Sequence, residues 1–147
     1  MNHSIRAVLL AEDSPADAEM ALDALRDANL ANPIVHAEDG IEVMDYLLRR
    51  GRHADRPEGL PAVLLLDIKM PRMDGLEVLR QLRGDERFKR LPVVVLTSSR
   101  EETDLARSWD LGVNAYVVKP VDSEQFFHAV KTLGKFWAVL NETPNGE

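Results

Sequence analysis

The sequence contains five short apolar runs, and each is followed by a stretch in which apolar residues recur at helical spacing. The runs are rich in Val and Leu and do not alternate with polar residues, which is typical of strands buried on both faces of a parallel sheet. They span residues 5–11, 34–37, 62–66, 93–96 and 115–118. Parallel strands need crossover connections, and these place helices on both faces. The pattern predicts a doubly wound α/β fold with a five-stranded parallel sheet, for which we expect the order 2-1-3-4-5.

The stretches between these runs predict five helices. The first opens with Ser14 and Pro15, and a serine N-cap with proline at the first helical position is a common helix start. The other four helices are expected at residues 40–48, 75–82, 101–111 and 122–140. Gly112 is placed to end the fourth helix. The 147 residues then form one domain over residues 1–140, followed by a polar tail at 141–147.

The composition excludes several classes of function. The chain has no cysteine, which rules out disulfide frameworks, thiolate zinc sites and cysteine nucleophiles. No apolar run approaches the ~18 residues of a membrane span, and residues 1–4 are too polar for a secretory signal. We therefore expect a cytoplasmic protein that does not enter a membrane. Lys and Arg total 18 against 25 Asp and Glu, and the net charge of −7 argues against nucleic-acid binding.

Four of the predicted strands end on residues suited to phosphate chemistry. These are Glu12-Asp13, Asp67, Thr97 and Lys119-Pro120. In open α/β sheets, ligands bind beyond the carboxyl ends of the strands, where the winding reverses. In the expected strand order that point lies between the first and third strands. Asp13 and Asp67 should face each other there, with Glu12 alongside.

The residue types at these strand ends favour phosphoryl transfer. Three carboxylates in one crevice repel each other unless a cation lies among them, and Mg²⁺ prefers oxygen ligands. Lys119 would add a compact positive charge, and Thr97 would add a hydroxyl donor. Together they predict a site where a carboxylate is the nucleophile for a transferred phosphoryl group.

These segments resemble the receiver domain of bacterial two-component response regulators, of the stand-alone type similar to chemotaxis regulators. The resemblance covers roughly residues 5–135. It is carried by residues 9–13, 64–75, 94–98 and 115–120, one segment for each of four strands. The resemblance implies a flavodoxin-like receiver fold and a phosphoryl donor that is a histidine kinase.

Carried over by position, the resemblance implies a role for each residue of the site. Asp67 would be the phosphoacceptor, Asp13 would bind Mg²⁺ directly, and Glu12 would do so mostly through water. The main-chain carbonyl of Lys69 would be a further metal ligand.

The resemblance also implies how the phosphorylated state would be recognised. Thr97 would bond to a phosphoryl oxygen, and Tyr116 would change rotamer with it. Lys119 would pair with the phosphoryl group, and its bond to Pro120 would be cis.

Two further features resemble the response regulators that are paired with bacterial phytochrome histidine kinases. One is the long, Arg-rich loop at residues 51–61, and the other is the aromatic pair Phe136-Trp137 at the end of the fifth helix. They imply a phytochrome as the cognate kinase.

Two other functions are compatible with such a sheet. An aspartyl phosphohydrolase commonly carries a second Asp two residues after its nucleophile, where this chain has Lys69. A flavodoxin-type protein needs a Gly- or Ser/Thr-rich phosphate loop after the first strand, but here Glu12-Asp13 would repel phosphate without a metal. Both patterns favour the receiver over its alternatives.

Apolar residues outside the expected core predict a homodimer through the fourth helix, fifth strand and fifth helix. Leu105 and Trp109 are four residues apart and therefore share a helix face. The interface candidates are Leu105, Trp109, Phe127, Phe136 and Trp137. The alternative is that these side chains fold back on their own chain. Independently of the dimer, we expect the output to be a protein contact, a phosphorelay step or a role as a phosphate sink.

Overall fold

The computed structural model describes residues 6–27, 32–122, 124, 125 and 128. Strands and helices alternate along this part of the chain: β1 (Val8–Ala11), α1 (Pro15–Asp27), β2 (Ile34–Ala37), α2 (Gly40–Leu48), β3 (Val63–Asp67), α3 (Gly75–Arg83), β4 (Val93–Thr97), α4 (Arg100–Trp109) and β5 (Ala115–Val118). A short 3-10 helix, Gly51–His53, follows α2. Most of the predicted fifth helix and the whole 141–147 tail lie outside the described residues.

The five strands form one parallel sheet in the order β2-β1-β3-β4-β5, which confirms the predicted topology. The register pairs Ala11 with Leu66 and Asp67 with Leu96. The central strands therefore end at nearly the same level, and the polar residues that follow them lie along one edge of the sheet.

Side chains of the central strands alternate between two apolar layers, because successive residues of a strand point to opposite faces. One layer joins Leu64 and Leu66 to the inner faces of α2 and α3. The other joins Leu65 to Ala21 and Leu25 of α1. Every residue of β1, β3 and β4 is buried, which explains why these strands show no polar alternation. Within the described residues, no helix combines the length and apolar character needed to span a membrane.

The predicted end of the fourth helix is wrong. α4 runs from Arg100 to Trp109, and Asp110 takes the left-handed conformation with φ of 53°. Aspartate tolerates this conformation better than most residues because its short side chain can bond locally. Gly112 also has positive φ, at 69°, but it lies within the loop to β5 rather than at the helix end.

The Arg-rich loop after α2 is held by α2 itself. The Arg56 guanidinium lies 4.1 Å from the centre of the Tyr46 ring and donates to the Tyr46 carbonyl. Arg52 and His53 both contact the Glu42 carboxylate. Much of the positive charge in this loop is therefore used within the domain.

Arg83, at the end of α3, forms hydrogen bonds to the loops on either side of β4. Its guanidinium donates to the main-chain carbonyls of Leu91, Leu111 and Gly112 at 2.9, 2.7 and 2.9 Å. Burial lowers the pKa of Arg83, but the group keeps its charge because a guanidinium is not deprotonated in proteins.

We expect Arg83→Met to lower the free energy of unfolding by about 2–3 kcal/mol, since several carbonyls would lose a charged donor. Arg80→Met is the matched control, because exposed Arg80 of the same helix pairs with Glu77 one turn away. Such a surface pair contributes only about 0–1 kcal/mol. Urea denaturation of both variants measures the difference, and equal losses would contradict the anchoring role of Arg83.

Candidate functional site

An acidic cluster lies at the carboxyl ends of β1 and β3. Each of Glu12, Asp13 and Asp67 offers a carboxylate oxygen, and these oxygens lie within 4.8 Å of one another. Asp67 is 2% exposed and Glu12 is 1% exposed, whereas Asp13 faces solvent. The structure thus brings together the three carboxylates named from the sequence, with one open side.

Lys119 is the cation of this cluster. Its Nζ lies 3.2 Å from a carboxylate oxygen of Asp67 and 3.2 Å from one of Glu12. The bond from Lys119 to Pro120 is cis, as the resemblance implies. Burial opposes the charge of Lys119, but its carboxylate partners raise the pKa above that of a free lysine. The ammonium group is therefore a permanent positive charge in the site.

Asp17 is a fourth carboxylate of the site that the sequence reasoning missed. It lies in the first turn of α1, and its Oδ2 is 3.0 Å from the Nζ of Lys119. Asp17 and Lys119 lie far apart in the sequence, so no short-range motif indicates that they pair. The available signal was the predicted helix start at Ser14-Pro15, which brings the first turn of α1 close to the end of β1.

Asp67 does not lie in an environment that favours its charge. Burial, together with the neighbouring Glu12 carboxylate, raises the pKa of Asp67 to about 7, against the lowering effect of Lys119. A divalent cation among the carboxylates would favour the ionised form. The donor set of acidic oxygens, one of them solvent-facing, fits a hard cation such as Mg²⁺, which keeps several of its waters.

Two hydrogen bonds from neighbouring residues orient Glu12, one to its side chain and one to its main chain. The Ser14 N–H donates to Glu12 Oε2 at 3.1 Å. His36, on the edge strand β2, bonds through Nε2 to the Glu12 carbonyl at 2.7 Å, and it must be the donor because a carbonyl only accepts. Sequence reasoning did not identify His36, because the predicted strand order places β2 beside β1 but does not give the register of the pair.

The Lys69 side chain pairs with a residue outside the acidic cluster. It is exposed, and its Nζ lies 3.6 Å from Glu102 Oε2 in α4. Glu102 is almost buried and also accepts from the N–H and the hydroxyl of Ser98, at 2.8 and 3.0 Å. Glu102, which sequence reasoning missed, therefore links the segments that follow β3 and β4.

Thr97 and Tyr116 lie on neighbouring strands. Thr97 is fully buried, and its hydroxyl is 3.1 Å from the hydroxyl of Thr103. Tyr116 is partly buried, and the Arg107 guanidinium lies 4.6 Å from its ring centre. Burial raises the pKa of Tyr116, while Arg107 opposes that shift.

Three large apolar side chains are exposed on α4 and β5. Leu105 is 49% exposed, Trp109 is 40% exposed, and Val118, which sequence reasoning missed, is 50% exposed. We call these three residues the α4–β5 patch. The other interface candidates, Phe127, Phe136 and Trp137, lie outside the described residues.

Comparison with known proteins identifies the class to which this fold and site belong. The family model of the response regulator receiver domain matches residues 8–131. The chain therefore belongs to the response regulator receiver domain family, and the family resemblance inferred from the sequence is confirmed.

Stand-alone regulators are among its relatives. Response regulator Rcp1 of Synechocystis is 34% identical over 132 residues, which cover 90% of this chain and 88% of Rcp1. A solved structure is described as the Mn²⁺-bound form of Rcp1, with 33% identity, a TM-score of 0.73, and coverage of 94% of this chain and 96% of that one.

Two solved bacteriophytochrome response regulators are more similar. RtBRR has 51% identity and a TM-score of 0.89, over 97% of this chain and 86% of that one. AtBRR has 55% identity and a TM-score of 0.88, over 95% of this chain and all of that one.

Proposed function

We propose that this receiver accepts a phosphoryl group from a histidine kinase onto Asp67 in a Mg²⁺-dependent reaction. The observation that carries the proposal is the convergence of Asp67 with the Glu12 carboxylate and the Lys119 ammonium at one edge of the sheet. A buried carboxylate held within reach of a fixed cation suits a nucleophile that must receive a phosphoryl group.

The proposed transfer step involves one bond forming and one breaking. A carboxylate oxygen of Asp67 attacks the phosphorus of a phosphohistidine on the kinase. The new O–P bond forms as the P–N bond breaks, and the electron pair of that bond remains on the imidazole. Lys119 would stabilise the charge on the phosphoryl oxygens.

The metal would be held by Asp13 and Asp67 directly, by Glu12 through water and by the main-chain carbonyl of Lys69. When bound, Mg²⁺ would neutralise phosphoryl oxygens and offset the repulsion among the carboxylates. We propose that the acyl phosphate then hydrolyses without a separate enzyme. Water attacks the phosphorus, inorganic phosphate leaves, and the Asp67 carboxylate is restored.

We propose that phosphorylation changes the surface near α4 and β5. The Thr97 hydroxyl would donate a hydrogen bond to a phosphoryl oxygen, and Tyr116 would turn inward as Thr97 moves. A few charge-assisted hydrogen bonds are enough to bias such a two-state equilibrium.

The likeness to RtBRR and AtBRR supports a bacteriophytochrome kinase as the phosphoryl donor. The identities of 51% and 55% extend over almost the whole chain. Because histidine kinases draw their phosphoryl group from ATP, we propose that the protein works in the cytoplasm.

Incubation with acetyl phosphate tests the proposed function against a phosphohydrolase. We expect one labile phosphoryl group per chain in the presence of Mg²⁺, and none when the metal is chelated. A hydrolase would instead consume many equivalents of acetyl phosphate in the same time. Lys69 stands two residues after Asp67 and pairs with Glu102, so it cannot serve as the general acid that such an enzyme places there.

We propose that the α4–β5 patch forms part of a homodimer interface, because its three large apolar side chains are exposed on consecutive elements and their burial on association would be favourable. Trp109→Glu should then shift the protein from dimer to monomer in light scattering at micromolar concentration. Met20→Glu is the matched control, since Met20 is an equally exposed apolar residue on α1 and should leave the dimer intact. A wild-type monomer, both with and without phosphorylation, would rule out this interface.

A further inference from the structure

We propose that Thr103 is a positioning residue that holds the switch hydroxyl of Thr97 in its resting place. The hydroxyl oxygen of Thr103 would compete with a phosphoryl oxygen for the hydrogen bond that the Thr97 hydroxyl donates. This inference rests on the proposed function, because it assumes that Thr97 bonds to a phosphoryl group on Asp67.

Hydrogen-bond directions around Thr103 follow from simple chemistry. Its Oγ1 lies 3.3 Å from the Ser99 carbonyl oxygen and 3.1 Å from the Thr97 hydroxyl. The carbonyl can only accept, so the Thr103 hydroxyl donates to Ser99 and its oxygen is left to accept from Thr97. A hydroxyl has one proton. While Thr97 donates it to Thr103, Thr97 cannot donate it to a phosphoryl oxygen.

Bonds from the first turn of α4 also hold the main chain that directly follows Thr97. The Glu102 carboxylate accepts from the N–H and hydroxyl of Ser98, and the Ser99 hydroxyl accepts from the Glu102 N–H at the helix N-cap. Thr97 is fully buried in this setting, so its hydroxyl is shielded from bulk solvent. In the resting state the hydroxyl proton of Thr97 is therefore accepted by the Thr103 oxygen.

Thr103 is the member of this turn that can be changed most selectively. Glu102 bonds to two groups of Ser98 and pairs with Lys69, so its replacement would disturb several contacts. Thr103→Val keeps the branched shape and removes only the hydroxyl. The helical bond from the Thr103 N–H to the Ser99 carbonyl remains, and the helix keeps its first turn.

Binding of beryllofluoride in the presence of Mg²⁺ measures the competition. In the Thr103→Val variant, the Thr97 donor would lack its resting partner, which raises the free energy of the resting state relative to the bound one. We expect the variant to bind beryllofluoride about 3- to 10-fold more tightly than the wild type. Thr103→Ser keeps the hydroxyl and should bind with nearly wild-type affinity. Loss of structure alone would weaken binding rather than tighten it.

A double-mutant cycle with Thr97→Ala decides whether the effect passes through Thr97. With Thr97 already truncated, Thr103→Val should have no further effect on affinity. The inference is overturned if Thr103→Val matches the wild type, or if it tightens binding equally in the Thr97→Ala background. If the wild type itself binds no beryllofluoride, the proposed function fails and the inference fails with it.

Discussion

Replacing Asp67 with asparagine is expected to lower phosphoryl uptake by about 10⁴-fold or more, because an amide cannot act as the nucleophile. The variant should remain folded. Asp67 is buried beside Glu12, and its raised pKa of about 7 reflects the cost of charging it there. A neutral amide of nearly the same shape removes that cost. Single-turnover labelling from acetyl phosphate or from a phosphorylated kinase measures the loss.

Asp74→Asn is the matched control for this substitution. Asp74 lies seven residues further along the chain, is exposed, and caps α3 by accepting from the Glu77 N–H. Asparagine caps helices about as well as aspartate, so this variant should take up the label normally. Wild-type labelling of Asp67→Asn would show that another group receives the phosphoryl.

Gly75→Ala is expected to lower the free energy of unfolding by about 3 kcal/mol, because overpacking at a rigid position forces the main chain to move. A Cβ atom on Gly75 would lie 2.2 Å from the Asp67 carbonyl oxygen and 2.9 Å from the Ile68 Cα. The Gly75 N–H also donates to the Ile68 carbonyl at 2.7 Å. Relief of the clash would therefore displace Asp67, and phosphoryl uptake should slow together with the loss of stability.

Gly84→Ala makes the same change at the other end of α3. There a Cβ atom would lie 3.6 Å from the Arg80 carbonyl oxygen, which is an ordinary contact, and Gly84 has φ of −88°. We expect a change in the free energy of unfolding below about 1 kcal/mol. Thermal or urea unfolding compares the two variants. Equal stability of the two would mean that the close approach at Gly75 does not constrain the site.

The central strands could be predicted because burial on both faces leaves a pattern in the sequence itself. Val63–Asp67 and Val93–Thr97 are uninterrupted apolar runs that end on a polar residue. Parallel pairing then places those polar residues at one edge of the sheet, so the cluster of Glu12, Asp13 and Asp67 follows from topology. Most residues of the candidate site could therefore be predicted from the polar residues at the strand ends.

Contacts that depend on the placement of helices could not be predicted in this way. Asp17 reaches Lys119 because α1 crosses one face of the sheet, and Thr103 reaches Thr97 because α4 turns back directly after β4. Neither pair has a spacing in sequence that signals contact. The end of α4 was misplaced for a related reason, since Asp110 adopts the left-handed conformation that Gly112 was expected to supply at the helix end.

The location of the phosphoryl group on Asp67 can be tested most directly by chemical trapping. Borohydride reduces an acyl phosphate of aspartate to homoserine, which marks the modified residue permanently. After a single turnover with Mg²⁺ and a phosphoryl donor, peptide mass spectrometry should find homoserine at position 67 in the wild type and at no carboxylate in Asp67→Asn. Homoserine at Asp13 or at another aspartate, or a stable phosphohistidine in place of an acyl phosphate, would contradict the assignment of Asp67 as the acceptor.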